Sequence, residues 1–329
     1  MNSILPQHTV LPKMDAEVIR KVFDTPDICV FEFKSPKGRR ALPRFTAGAH
    51  IEVCLRNGIT RSYSLCNSPT ELGRYVIAVL REPNSRGGSV AMHDEIEEGA
   101  IVQIRAPANH FPLEAGARRS ILIAGGIGVT PLLSMAEVLS NAGADFELHY
   151  CARSEERMAF KSHIAQSRFA ERVFFHFDDQ PETRIDIAGV LKNPDTDMHL
   201  YFCGPGGFMD FVKGAAEKAN WSLPNVHFEY FGAAVQMNAS DPPFDVELAR
   251  SGKRITIPPG RTVVSVLAEN GVDVPVSCEQ GICGTCMVPL LSGDPDHRDH
   301  ILTPAERGGS RLFIPCVSRG KGGCLVLDI

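Results

Sequence analysis

Four cysteines near the C-terminus constrain this chain more than any other feature. Cys278, Cys283 and Cys286 follow the spacing C-x₄-C-x₂-C, and Cys316 comes after 29 intervening residues. Four thiolates so spaced match the ligand set of a plant-type [2Fe–2S] cluster, because soft sulfur is the donor that bridged ferric iron prefers. Gly281 and Gly284 allow the loop to wrap tightly and to aim backbone N–H groups at the sulfides. A zinc ribbon usually brings two C-x₂-C pairs, and only one is present; four buried free cysteines are the remaining alternative. The other six cysteines, Cys29, Cys54, Cys66, Cys151, Cys203 and Cys324, are scattered singly and read as small buried hydrophobes. In a reducing compartment, disulfides are not expected.

The flanking sequence supplies a small sheet for such a cluster. FDVELAR and RITIP read as a hairpin across Ser251-Gly252. TVVSVLAENG reads as a helix with Val263, Val266 and Leu267 on one face and Gly271 as its stop. A hairpin with one helix fits a β-grasp domain over residues 244–329. Within it, Asp294, Asp296, His297, Arg298, Asp299 and His300 invite a metal-site reading, but Arg298 sits among the would-be ligands. A solvated loop or partner-docking patch is the expectation.

Two other rhythms precede this segment. Up to residue 115, short alternating runs (AEVIRKVF, ICVFEFK, HIEVCL, RSYSL, RYVIAVLRE, AIVQIRA) predict six strands of an antiparallel β-barrel, interrupted by one helix at SVAMHDEIEEG. From 116 to 232, strands and helices alternate, as in a doubly wound parallel α/β sheet. There, SILIAG leads to a helix that Thr130 can cap, with Pro131 in the first turn, and RMAFKSHIAQ reads as a further helix. Residues 233–243 read as a polar, Pro-ending linker. With 329 residues, two or three domains are expected.

Bulk properties remove some classes. A net charge of −5 argues against nucleic-acid binding. No apolar run approaches the ~20 residues that span a bilayer. The N-terminus lacks the basic start and apolar core of a secretory signal, so a cytoplasmic location is expected.

Four motifs suit a flavin and a nicotinamide. Arg61-Ser62-Tyr63-Ser64 lies on a barrel strand; an Arg can grip a phosphate bidentately, a Tyr can pack on an isoalloxazine, and hydroxyls can meet its N5 and O4. Gly87-Gly88-Ser89 opens the barrel's helix, where exposed N–H groups form an anion site. Gly125-Gly126-Ile127-Gly128-Val129-Thr130-Pro131 joins the first parallel strand to its helix, and Cys203-Gly204-Pro205 ends a later strand of the same sheet. Both should face the crevice at the carboxyl ends of the strands. Taken singly, each also suits a polar strand, a glycine turn or a buried cysteine.

Their order is more specific. Barrel with R-x-Y-S, then G-G-x-G-x-T-P, then C-G-P, then Phe231 after the last strand, resembles the ferredoxin–NADP⁺ reductase superfamily over residues 10–232. The added C-terminal ferredoxin narrows the resemblance to the phthalate dioxygenase reductase family, carried by RYVIAVLRE, RGGS, AGGIGVTP, CGP, VHFEYFG, SCEQGICGTC, DHRD and CVSR. Members are reductase components of Rieske-type aromatic oxygenases, including O-demethylase systems. The resemblance implies FMN rather than FAD and NADH rather than NADPH; the sequence gives no clear oligomerisation signal, and a monomer when free is the expectation. By similarity, Arg61, Ser62, Tyr63 and Ser64 line the FMN, with Ala78, Val79 and Leu80 along its ring. Gly87, Gly88 and Ser89 hold its phosphate, and Thr130 reaches it from the second domain. Phe231 shields the flavin face that nicotinamide must enter, and NADH lies over Gly125, Gly126 and Gly128 with its ring near Cys203. Hydride passes to the flavin and electrons then leave singly for the cluster. Cys203 and Glu229 are positioning candidates. The family often has Lys where this chain has Leu80, which removes a cation near the flavin. The charges of Arg153-Ser154-Glu155-Glu156-Arg157, after the second parallel strand, do not settle the choice of nicotinamide. Residues 244–329 carry ten acidic and nine basic residues, which predicts partner docking that is more apolar and less salt-sensitive than that of acidic ferredoxins. Other acceptors (a cytochrome P450 or a diiron hydroxylase) and a redox-sensing role are the alternatives.

Overall fold

A computed structural model describes every residue except 1–11, 57, 84, 86, 232–239, 277–280, 282, 283, 300 and 310. The chain divides into two compact units, one spanning Leu11–Phe231 and the other containing Gly232–Ile329.

In the first unit, short strands build a barrel. β1 (Lys13–Phe23), β2 (Ile28–Lys34), β3 (Ala49–Cys54), β4 (Thr60–Ser64), β5 (Arg74–Leu80), β6 (Ile101–Arg105) and the short β7 (Ala108–Asn109) form one sheet. Its order is β4-β3-β6-β1-β2-β5, with β7 beside β3. The outer strands approach each other where Cys66 N–H donates to Val76 O at 2.9 Å and Val76 N–H donates to Asn67 Oδ1 at 3.0 Å. Phe31, Phe33, Ile51 and Ile77 fill the interior, each burial stabilising by about 2 kcal/mol. β5 lacks alternation because both of its faces are covered: Tyr75, Ile77 and Val79 point into the barrel, while Val76 and Ala78 join a second core. One helix, α1 (Gly88–Glu95), follows β5.

That second core belongs to a parallel sheet. β8 (Arg119–Gly125), β9 (Asp145–Ala152), β10 (Val173–Phe177), β11 (Met198–Gly204) and β12 (Val226–Tyr230) run in the order β10-β9-β8-β11-β12. They alternate with α2 (Val129–Asn141), α3 (Lys161–Ala165), α4 (Ile187–Val190) and α5 (Gly206–Lys218). The chain steps outward from β8 to β10 and then returns to β11 on the other side. This reversal opens a crevice at the carboxyl ends of β8 and β11. Ile28, Cys66, Val76 and Ala78 of the barrel share one buried cluster with Leu122 and Tyr201 of this sheet and Val129 and Leu132 of α2.

Two expected helix details change. Thr130 does not cap α2: Gly128 holds that position, and the Thr130 hydroxyl donates back to Ile127 O at 3.0 Å. The 3₁₀ turn Gly126–Gly128 runs straight into the helix, which places Thr130 inside its first turn. The helix expected over 157–166 shrinks to α3, because Met158 is extended and Phe160 is left-handed at φ 63°.

The second unit is a mixed sheet with a helix across it. β13 (Phe244–Leu248) and β14 (Arg254–Ile257) form the expected hairpin; β15 (Val288–Ser292), β17 (Leu312–Phe313) and β19 (Cys324–Leu327) complete the order β14-β13-β19-β15-β17. β16 (Pro295–Asp296) and β18 (Arg319–Gly320) pair separately. α6 (Val263–Glu269) is capped by Thr262, whose hydroxyl accepts Ser265 N–H at 3.1 Å, and it buries Val263, Val266 and Leu267. A second helix, α7 (Pro304–Gly309), precedes β17. The stretch expected to be a solvated loop is not one: Asp299 is 2% exposed, because Leu302 N–H and the Ser318 hydroxyl close on its carboxylate.

Candidate active site

On β4, Arg61 and Tyr63 are half-buried, Ser62 is exposed and Ser64 is buried. A Cβ placed on Gly88 would lie 2.7 Å from Arg61 Cγ, so glycine lets the start of α1 approach this arginine without displacing its side chain. Gly87, at φ 93°, precedes the helix with no side-chain cap. First-turn N–H groups and a guanidinium thus converge on one corner, which fits the phosphate of a flavin.

Sequence reasoning missed what clamps α1 against β5. The His93 ring, 4% exposed, donates from Nε2 to Val79 O at 2.8 Å. Arg81 grips Asp94 at 2.6 and 2.9 Å, and Glu82 N–H donates to Ser89 Oγ at 3.1 Å. Lys21 Nζ closes the far end by donating to His93 O at 2.8 Å. These contacts hold Ala78, Val79 and Leu80 in register with Gly87, Gly88 and Ser89. A histidine within the short helix after the glycines was the one available signal.

Across the crevice, the glycines of the two turns pack on each other. A Cβ on Gly128 would lie 2.2 Å from Cys203 O, and on Gly125 or Gly204 it would strike the Phe208 ring at 2.8 or 2.6 Å. Gly126, at φ 54°, faces open space. The Gly-rich turn is therefore shaped mainly by its packing on Cys203-Gly204-Pro205, with Gly126 as the open approach. Phe208 carried no signal of its own in the sequence.

The two halves of the site meet at one carboxyl group. β11 and β12 pair Cys203 with Glu229, and the Ser64 hydroxyl donates to Glu229 Oε2 at 3.3 Å. Burial pushes the Glu229 carboxyl up to about 8, against the pull of the Ser64 hydrogen bond, so near neutral pH it holds a proton. Burial, with Glu229 beside it, also raises the Cys203 thiol, which is fully buried and inert as a thiolate. Phe231, two residues beyond Glu229, packs half-buried on the shared core. Thr130 is 2% exposed.

In the second unit, Cys286 and Cys316 are buried and in no disulfide; Cys278 and Cys283 lie outside the described residues. Gly281 and Gly284 have φ of +72° and +71°. A Cβ there would lie 2.6 Å from Val317 Cγ2 and 2.9 Å from Ile301 Cδ1, respectively. A loop that needs glycine twice, against the residue next to Cys316, fits the wrapped ligand loop of an iron–sulfur cluster. Among the described residues no helix is long and apolar enough to cross a membrane.

Comparison with known proteins agrees with this arrangement in order and extent. Family models for an oxidoreductase FAD-binding domain, an oxidoreductase NAD-binding domain and a 2Fe-2S iron-sulfur cluster binding domain match residues 15–112, 122–214 and 246–320. The chain is 51% identical to a vanillate O-demethylase oxidoreductase of Pseudomonas putida, over 96% of this chain and 100% of that one. A solved phthalate dioxygenase reductase, described as a modular structure for electron transfer from pyridine nucleotides to [2Fe-2S], superposes at TM-score 0.76 with 40% identity, covering 96% and 98% of the two chains. An intact type IV self-sufficient cytochrome P450 monooxygenase superposes at TM-score 0.81 with 35% identity, covering 96% of this chain and 41% of that chain.

Proposed function

This chain belongs to the phthalate dioxygenase reductase family, and from that premise we propose that it carries electrons from NADH through FMN and a [2Fe–2S] cluster to the Rieske-type oxygenase of an aromatic O-demethylase or dioxygenase system. It is an oxidoreductase with flavin, nicotinamide and iron–sulfur domains. The observation that carries the reading is the Ser64–Glu229 contact, where the barrel's flavin motif and the carboxyl end of the parallel sheet share one hydrogen bond. When bound, the flavin accepts a hydride from nicotinamide and releases electrons one at a time to the cluster.

In this reading residues 1–115 hold FMN, 116–232 hold NADH, 233–243 connect, and 244–329 hold the cluster on Cys278, Cys283, Cys286 and Cys316. Arg61 with the first turn of α1 takes the phosphate; Ser62, Tyr63, Ser64 and the backbone of Ala78, Val79 and Leu80 line the ring. Thr130 closes the second side, and Phe231 covers the face where nicotinamide enters over Gly126. Glu229, protonated and held by Ser64, presents a hydrogen-bond donor beside the buried Cys203 and excludes water there. The chain works as a monomer in the cytoplasm.

Anaerobic titration with NADH, with chromatography of the released flavin, tests the route. Bleaching of both flavin and iron–sulfur absorbance, with FMN released, is the expected result; flavin bleaching without iron would reduce the chain to a plain flavin reductase. A second reading has specific support: the P450 likeness over 96% of this chain makes a haem monooxygenase the competing acceptor. Steady-state turnover with each class of oxygenase, repeated at rising salt, separates the two. The near-neutral charge of residues 244–329 predicts little loss with the true partner.

A further inference from the structure

The stretch Asp296-His297-Arg298-Asp299 has no part in the electron route described so far, yet it is heavily invested with buried charge. Asp241 is 8% exposed, and its carboxylate receives both arms of one guanidinium: Arg298 Nη1 at 2.8 Å and Nη2 at 2.9 Å. Arg298 Nε holds Asp296 at 2.7 Å. Arg319, 1% exposed, places Nε 3.6 Å from Asp241. Its Nη2 donates to Pro242 O at 3.2 Å and Pro258 O at 3.1 Å, and its guanidinium lies 5.0 Å over the Phe244 ring. Burying charges this way costs several kcal/mol in desolvation, which only near-complete pairing offsets. A β-grasp core such as that around Val246, Leu267 and Phe313 does not require it.

The same residues frame the cluster ligands. Arg298 N–H donates to Ser318 Oγ at 3.2 Å, and Ser318 donates to Asp299 Oδ1 at 3.3 Å. Ser318 is two residues beyond Cys316. Asp299 Cα lies 3.0 Å from where a Cβ on Gly281 would sit, inside the loop that bears the other three ligands. Asp241 is among the first described residues after the segment that joins the two units. One arginine therefore touches the entry of the connecting segment with its side chain and the frame of the ligands with its backbone.

We propose that Arg298 is a positioning residue for electron delivery: through Asp241 it locks the point where the connecting segment enters the iron–sulfur unit to the frame around Cys316 and the ligand loop. The inference rests on the reading that those cysteines hold the cluster. Severing the pair leaves the flavin end of the route untouched and alters the cluster end.

The test compares the full-length holoprotein with D241N, R298K and R298M by anaerobic stopped flow, together with iron content and the electron paramagnetic resonance spectrum of the reduced cluster. One NADH delivers two electrons to the flavin, and the cluster then takes one. The expected result is unchanged flavin reduction in every variant, with cluster reduction slowed about fivefold in D241N and R298M, a size usual for coupling residues. The resonance spectrum shifts in both, and R298K, which keeps the charge but not the fork, falls between. Should R298M lose iron, D241N, which keeps the shape of the carboxylate, decides. D241N with full iron, a wild-type spectrum and a wild-type cluster rate would overturn the proposal, as would equal slowing of both phases. A wild-type protein without iron would overturn the functional reading along with it.

Discussion

Glu32, which is buried, and Glu229, which is half-buried, are acids of one unit that end in opposite protonation states. Glu32 lies on β2, 8% exposed, and burial pushes its carboxyl up. The hydrogen bonds and charges of Arg74 and then Arg20 outweigh that push and hold it below the ordinary value. Burial raises Glu229 too, and among the described residues its counterweight is a serine hydroxyl, so it rises to about 8. Burial alone does not set the state of a carboxyl; the partner delivered from another strand does. The outer seam of the barrel thus carries a permanent anion, whereas the inner seam carries a neutral acid beside the proposed path of the hydride.

Removing the arginine should break this contrast with the largest effect. Arg74→Met leaves Glu32 buried with Arg20 alone, and a loss of about 3 kcal/mol in urea unfolding is expected. A change below 1 kcal/mol would mean that Arg20 suffices.

His50 sharpens the comparison from the basic side. It is 7% exposed, and burial, then the neighbouring His110, lowers it to about 4. The unfolded chain takes up this proton near pH 6.5 while the folded chain refuses it. Stability is therefore whole above pH 6.5 and falls by about 2 kcal/mol as pH drops toward 4. His50→Gln should flatten that limb of the stability–pH curve, and an unchanged curve would remove His50 as its source.

Glu229 predicts the opposite limb. Its raised carboxyl stays protonated in the folded state while the unfolded chain ionises near 4.5, so stability is greatest below that value and declines as pH rises toward 8. Glu229→Gln keeps the shape and should remove about 2 kcal/mol of that decline, while slowing NADH-dependent flavin reduction about tenfold. Retained pH dependence in the variant would show that Glu229 is ionised in the native protein.

Gly88→Ala carries the smallest effect. The added methyl meets the flexible part of Arg61 at 2.7 Å, so folding should change by less than about 1 kcal/mol. Flavin retention, read by fluorescence of the released cofactor, should fall about tenfold as the guanidinium is displaced from the helix start. Full retention would move the phosphate site elsewhere.

Much of the site could be read from local sequence. The cysteine spacing, the hairpin at 244–257, the glycines that open α1 and the change from period two to β-α alternation are short-range signals, and the hairpin, the opening of α1 and the β-α alternation stand where they were expected. The errors were also local in origin: Thr130 had the chemistry of a cap, and a run of acidic and histidine residues had the look of a wet loop. In both cases a neighbour decided otherwise. A 3₁₀ turn absorbed the cap position at Gly128, and Ser318 with Leu302 drew Asp299 inward. Phe208 and the Asp241–Arg298 pair gave no sign beforehand, because their partners lie 83 and 57 residues away; His93 was marked only by its place in the helix after the glycines, and its partner Val79 lies 14 residues away.

The chemistry that this protein can hold was legible along the chain, since ligand type, ligand spacing and turn conformation are properties of a few adjacent residues. Which buried charges are paired, which acid keeps its proton, and which glycine is open and which is filled came from the folded chain. Those outcomes depend on what a distant strand brings within about 3 Å, where desolvation and hydrogen bonding are settled.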